Sequence, residues 1–174
     1  MNKIQIIVNN GAGTGSAVAV WKETKEYLQE NGISYNAYLT RYEKHAVKLA
    51  GQICGKIPEG PIYLLVVGGD GTINEVLNGI TDFDRVRLGV IPTGSGNDFA
   101  RNLGILRDTR EDLREITACI DQEQNGEKLQ RIDLGKVSWE GCEKPRIFGI
   151  SAGAGLDAIV CKNCLLYTSD AADD

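Results

Sequence analysis

Histidine is almost missing from this chain: there is one, His45, in 174 residues. That scarcity excludes a serine hydrolase built on Gly149-Ile150-Ser151-Ala152-Gly153, because a nucleophile elbow takes its histidine from the sequence after the serine. No apolar run approaches the ~20 residues that a membrane-spanning helix needs. The opening MNKIQIIVNN has too short an apolar run for a secretory signal and no cleavage site, so a cytoplasmic protein is the expectation. A basic excess is lacking as well: 19 Lys and Arg face 24 Asp and Glu, and a net charge of −5 argues against a nucleic-acid partner. The five cysteines (54, 119, 142, 161 and 164) are odd in number and have no framework spacing, as expected of reduced thiols. Cys161-Lys162-Asn163-Cys164 is a lone CxxC without the two further ligands a zinc site requires. Neither GxxxxGK[ST] nor GxGxxG occurs, which removes a P-loop and a dinucleotide fingerprint.

What the chain does have is glycine in the right places. A hydrophobic fraction of 42% and a charged fraction of 25% are those of a soluble globular protein, and the length suits one ordinary domain or one domain with part of another. Two stretches repeat one design, an apolar run followed by a glycine-rich turn with one aspartate and then a helical pattern. They are Leu64–Asn78 (LLVVGGDGTINEVLN) and Ile91–Arg101 (IPTGSGNDFAR). Backbone N–H groups at such a strand end, with the positive end of the next helix dipole, make a concavity for phosphate. Gly68, Gly69 and Gly71 would permit positive φ and keep Cβ atoms away from a ligand. Asp70 would repel phosphate unless a cation lay between them, and magnesium is the usual intermediary.

Gly68-Gly69-Asp70-Gly71-Thr72 with Asn74-Glu75 resembles the GGDGTxNE signature of the diacylglycerol kinase catalytic domain, and Pro92–Arg101 resembles that family's second signature. The resemblance runs from about residue 3 to about residue 160 and extends to two further segments. Asn9 to Gly13 is similar to the family's N-P-x-x-G nucleotide loop, with Asn10 in place of proline and without the basic residue common just after the glycine. Thr40 followed by His45-Ala46 is similar to its Thr–His-Ala segment. The resemblance implies ATP contacts from Asn9, Gly13, Thr40, Gly68, Gly69, Asp70, Gly71, Thr72, Asn74, Glu75, Thr93, Gly94, Ser95, Asn97 and Asp98. It also implies magnesium at Asp70, with Asp70 as a catalytic residue serving the metal–phosphate network. Simpler readings exist: Asp70 as a cap of its own helix, Asn97 and Asp98 as caps of theirs, and His45 as a residue at a helix start. Asp157 lies in a segment resembling the family's G-x-D-A.

Along the chain, Ile4–Val8 is an apolar run expected to be a strand buried on both faces. Ser16 is expected to cap a helix that runs to Asn31 and stops at Gly32. Ser34–Leu39 reads as a strand, and Ala46, Leu49, Ala50 and Ile53 mark a helix that Pro58–Pro61 breaks. Ile62–Val67 and Arg87–Ile91 read as strands; Ile73–Gly79, Asp98–Leu103 and the stretch through Leu113, Ile116, Thr117 and Ile120 read as helices. The alternation predicts an α/β domain with a parallel sheet, whose ligand loops gather at the carboxyl ends of the strands; the resemblance implies that it is of the NAD kinase and diacylglycerol kinase type. Beyond Gln122 the pattern becomes alternating over Gln130–Trp139 and Arg146–Ile150, the expected start of an antiparallel β domain cut short. The division expected is residues 1–125 for nucleotide binding, 129–163 for the first strands of an incomplete β-rich domain with open edges near Arg146–Ile150, and 164–174 as a non-native tail. That tail, CLLYTSDAADD, is similar to the translation of a sequencing adapter; without its aspartates at 170, 173 and 174 the formal charge is −2.

The functional expectation is an ATP-dependent lipid kinase fragment that moves the γ-phosphate of ATP to a lipid hydroxyl, diacylglycerol's before others, at a membrane surface. As a fragment it is expected to be inactive alone. A NAD kinase-like enzyme is the alternative within the same chemistry, disfavoured by Pro92–Arg101. A non-catalytic ATP-binding module is the alternative outside it.

Overall fold

The computed structural model describes residues 3–11, 16–105, 108–127, 129–153 and 158. Its centre is a four-stranded parallel sheet made of β1 (Ile4–Val8), β2 (Tyr35–Leu39), β3 (Ile62–Gly68) and β4 (Val86–Pro92) in the order β2-β1-β3-β4. Every residue of β1 and β3 is buried, as their unbroken apolar runs require of strands covered on both faces. Successive residues point to opposite faces. Leu64, Val66 and Val90 pack with α2 (His45–Lys56) and α3 (Asp70–Gly79). Leu65, Val67 and Ile91 pack with α1 (Ser16–Glu30) and α5 (Thr109–Gln124). The result is three layers, helix–sheet–helix.

Most expected boundaries agree with the structure within a residue or two. Gly32, at φ +63°, ends α1 with the Ile33 N–H donating to the Leu28 carbonyl, 2.9 Å. Asp108 caps α5 by accepting from the N–H of Arg110 at 2.7 Å and of Glu111 at 3.3 Å. One boundary differs in a way that matters. The helix expected from Ile73 begins at Asp70, so Asp70, Gly71 and Thr72 form its first turn. Gly68, Gly69 and Gly71 are not among the positive-φ residues, and left-handed backbone is not their reason for being glycine.

After α5 come two short strands, β5 (Gly135–Val137) and β6 (Arg146–Phe148), paired antiparallel. Both are shorter than the alternation suggested. The expected open edge at Arg146–Ile150 is also corrected. The side-chain amide of Asn78 on α3 donates to the Ile147 carbonyl at 2.8 Å and accepts from the Ile147 N–H at 2.9 Å. Gly149 lies so close to Phe99 and Leu77 that a Cβ there would sit 2.6 Å from the Phe99 ring, which makes this glycine a packing residue. β6 therefore has β5 on one side and a helix side chain at Ile147.

Candidate active site

The loops that follow β1, β2, β3 and β4 all leave the same edge of the sheet, because all four strands are parallel. The chain turns to opposite faces after β1 and after β3, and a crevice between such strand ends is where open α/β sheets bind ligands. Asn9 sits at this point. Its Nδ2 donates to Thr72 Oγ1 at 2.9 Å, and its Oδ1 accepts from Thr40 Oγ1 at 3.2 Å and from the Gly11 N–H at 3.1 Å. One asparagine thus ties the ends of three strands together and fixes two hydroxyls on the rim.

The two glycine motifs meet back to back. A Cβ on Gly94 would lie 2.9 Å from the Gly69 Cα, and a Cβ on Gly69 would lie 3.0 Å from the Gly94 Cα. The Thr93 N–H donates to the Gly68 carbonyl at 3.1 Å and continues the β3–β4 ladder to that contact. A Cβ on Gly68 would strike the Thr72 side chain at 2.7 Å, whereas one on Gly71 would meet nothing within 4 Å. Gly68, Gly69 and Gly94 are thus required by packing. Gly71 is exposed at the start of α3 and keeps the space above it clear.

Asp70 makes a bond that the sequence did not suggest. Its Oδ2 accepts from the Asp98 N–H and its Oδ1 from the Phe99 N–H, both at 3.0 Å. It caps α4 (Asp98–Asn102), the helix of the other motif, instead of its own. Asn97 precedes α4 in left-handed conformation, φ 53°, and makes no side-chain cap; its amide turns back to the N–H and carbonyl of Gly94 at 2.9 and 2.7 Å. Asp98 is bound by Arg101 at 3.0 Å, and Arg101 also donates to the Gly96 carbonyl, so Arg101 is anchored and not merely exposed to solvent. Glu75 accepts from the N–H of Lys44 at 3.0 Å and of Ala46 at 3.2 Å, which caps α2 and leaves Asn74 to Asn78. His45 accepts the Arg41 N–H on Nδ1 at 3.1 Å and stacks on Tyr42 with ring centroids 4.4 Å apart.

Asn9, Gly11, Thr40, Arg41, Glu43 and Glu75, with Tyr42, line an open cleft of about 400 Å³ at this edge. Thr72 joins it through Asn9. Thr93 is 5% exposed and its hydroxyl has no hydrogen-bond partner among the described residues. Ser95 is exposed on the α4 side of the edge, beyond the cleft lining. Gly13, Asp157, Cys161 and Cys164 lie outside the described residues.

The family model of the diacylglycerol kinase catalytic domain matches residues 3–137. The chain belongs to that family. YtlR of Bacillus subtilis (strain 168), named as a candidate lipid kinase, is 32% identical over 164 residues, 92% of this chain and 50% of its own. A diacylglycerol kinase of the same strain is 41% identical over 99 residues, 54% of this chain and 30% of the relative. A solved diacylglycerol kinase structure from Bacillus anthracis str. Sterne superposes with a TM-score of 0.56 at 29% identity, covering 67% of this chain and 39% of that one. This diacylglycerol kinase-family chain therefore spans half or less of the length of these relatives. No helix among its described residues is long and apolar enough to cross a membrane.

The donor set bears on magnesium. No group of three or more His, Cys, Asp or Glu that could cage a metal occurs among the described residues. Asp70 and Asp98 nevertheless flank Gly96: a Cβ there would lie 3.4 Å from Asp70 Oδ2 and 3.9 Å from Asp98 Oδ2. Two carboxylates fit a magnesium ion that arrives on a nucleotide, since that ion keeps several waters and takes only one or two protein carboxylates beside phosphate. Two features were missed from sequence: Arg41 in the cleft lining and Asn78 as the dock for β6. Arg41 directly follows Thr40, which was its only signal.

Proposed function

We propose that this chain carries the nucleotide-binding part of an ATP-dependent lipid kinase, which moves the γ-phosphate of ATP to a lipid hydroxyl, that of diacylglycerol first. The observation that carries the reading is the contact of Gly69 with Gly94 at the carboxyl edge of the sheet, beside the hydroxyls of Thr40 and Thr72 held by Asn9. Phosphoryl transfer asks a protein for positioning and charge neutralisation more than for covalent chemistry. Thr40, Thr72 and the Asn9 amide would hold phosphate oxygens. Asp70 and Asp98 would hold magnesium, which when bound neutralises phosphate charge. Asp70 would do so while fixing the first turn of α4, so the two glycine motifs would keep one spacing around the nucleotide. The lipid would be met at a bilayer face.

The test uses the protein extended to the length of its relatives, with γ-labelled ATP, magnesium and diacylglycerol in mixed micelles. Labelled phosphatidic acid is the expected product. NAD phosphorylation in its place would favour the NAD kinase reading, and ATP binding without transfer to either acceptor would favour a binding module.

A further inference from the structure

Taking the nucleotide reading as its basis, we propose that Arg41 receives the polyphosphate of the nucleotide, supplying the cation that the loop after β1 lacks. The described part of that loop, Asn9 to Gly11, offers amides and backbone N–H groups but no positive charge. A triphosphate needs more charge neutralisation than neutral donors give.

The other cations at this edge have partners. Arg101 is committed to Asp98 and the Gly96 carbonyl. Lys44 lies 3.6 Å from the Glu43 carboxylate. Lys48 donates to the Tyr42 hydroxyl at 3.5 Å and stands 5.2 Å over the Tyr42 ring. Arg41 lines the cleft with Asn9 and Thr40, and among the described residues it is its backbone N–H, donating to His45 Nδ1, that is hydrogen-bonded, while its guanidinium has no hydrogen bond or ion pair. The acids nearby make no ion pair with it among the described residues: Glu75 accepts from the N–H groups of Lys44 and Ala46, and Glu43 faces Lys44.

The backbone beneath Arg41 is held firmly. The Thr40 N–H donates to the Val8 carbonyl at 2.9 Å, the Arg41 N–H to His45 Nδ1, and the His45 N–H to the Tyr42 carbonyl at 3.1 Å. A fixed turn carrying a free guanidinium is preorganised for an anion, and the planar fork of arginine matches two phosphate oxygens at once. On this view His45 is a positioning residue: it holds the turn and leaves the phosphate to its neighbour.

The experiment is calorimetric titration of the chain with magnesium ATP and ADP, together with saturation-transfer NMR for adenosine, on wild type, Arg41→Ala and Arg41→Lys. Arg41 is exposed, so the variants are expected to keep the wild-type circular dichroism and melting curve. The expected result is at least a tenfold loss of ATP and ADP affinity in Arg41→Ala, partial recovery in Arg41→Lys, and unchanged adenosine binding. The salt dependence of ATP binding is expected to flatten in Arg41→Ala, since a screened charge contact has gone. ATP affinity unchanged in Arg41→Ala overturns the proposal, as does an equal loss for adenosine. A wild-type chain that binds ATP with neither method sinks the nucleotide reading itself and this inference with it.

Discussion

At the scale of single residues, the signature motif serves two ends at once. Asp70 was legible as important but not as a bridge: an Asp-Gly pair reads as a local turn, and no local pattern reveals a cap given to a helix 28 positions on. The same holds for Glu75, whose carboxylate reaches back to the start of α2. Asp70→Asn is therefore expected to damage both function and fold. An amide has one acceptor oxygen, so one N–H of α4 would face an NH₂ group and lose its partner, at about 1–3 kcal/mol. The measurement is thermal melting beside magnesium ATP titration; a variant with a wild-type melting temperature would show that the α4 cap contributes nothing. The glycines give a sharper contrast. Gly94→Ala puts a methyl against the Gly69 backbone and is expected to cost about 1–3 kcal/mol by overpacking. Gly71→Ala meets open space, so its stability should stay within about 0.5 kcal/mol of wild type, as for other surface changes. Denaturant unfolding of the two variants decides it.

At the scale of elements, α3 is the member on which the others converge. Its first residue caps α4, Glu75 caps α2, and Asn78 near its end holds β6. The apolar positions Ile73, Val76 and Leu77 were enough to place a helix here by period. They could not place its start, since the three glycines of GGDGT read as a turn by composition while the residues following Gly69 already hydrogen-bond as a helix, Ile73 N–H to the Gly69 carbonyl at 3.1 Å. The hairpin was legible as alternation, but its docking was not, because Asn78 is one polar residue among many in a helix. A two-stranded hairpin is marginal by itself in water, so its order depends on that dock. Asn78→Leu is expected to leave both backbone groups of Ile147 without their partner and to cost about 1–3 kcal/mol locally. Hydrogen exchange should show the Ile147 amide losing protection while β1 and β3 keep theirs. Unchanged protection at Ile147 would mean that Asn78 does not hold the hairpin.

At the scale of the whole molecule, the parallel sheet and the gathering of its loops followed from the strand–helix alternation alone, because parallel strands force every crossover loop to a common edge. What composition could not give was how the sheet is tied to the helix layer far from the carboxyl edge of the strands. There β3, β4 and α5 meet through Tyr63, Arg87 and Glu123. Arg87 pairs with Glu123, and Tyr63 is 3% exposed beside them. Burial raises the Tyr63 phenol above its ordinary value of 10.0; the neighbouring Glu123 carboxylate adds to the rise, and the Gln124 side chain opposes it. The folded chain thus holds the phenolic proton more tightly than the unfolded chain does. The resulting stability is fully present below the unfolded value near 10 and is lost as pH climbs through the higher folded value. Global stability is therefore expected to decline with rising pH from about 10, where the unfolded tyrosine begins to ionise and the folded one does not. Tyr63→Phe has no proton to lose, so its melting temperature should fall less steeply over the same alkaline range. Melting curves of both proteins between neutral pH and 11 provide the check. Parallel declines would place the alkaline sensitivity in other groups and leave Tyr63 as a packing residue only.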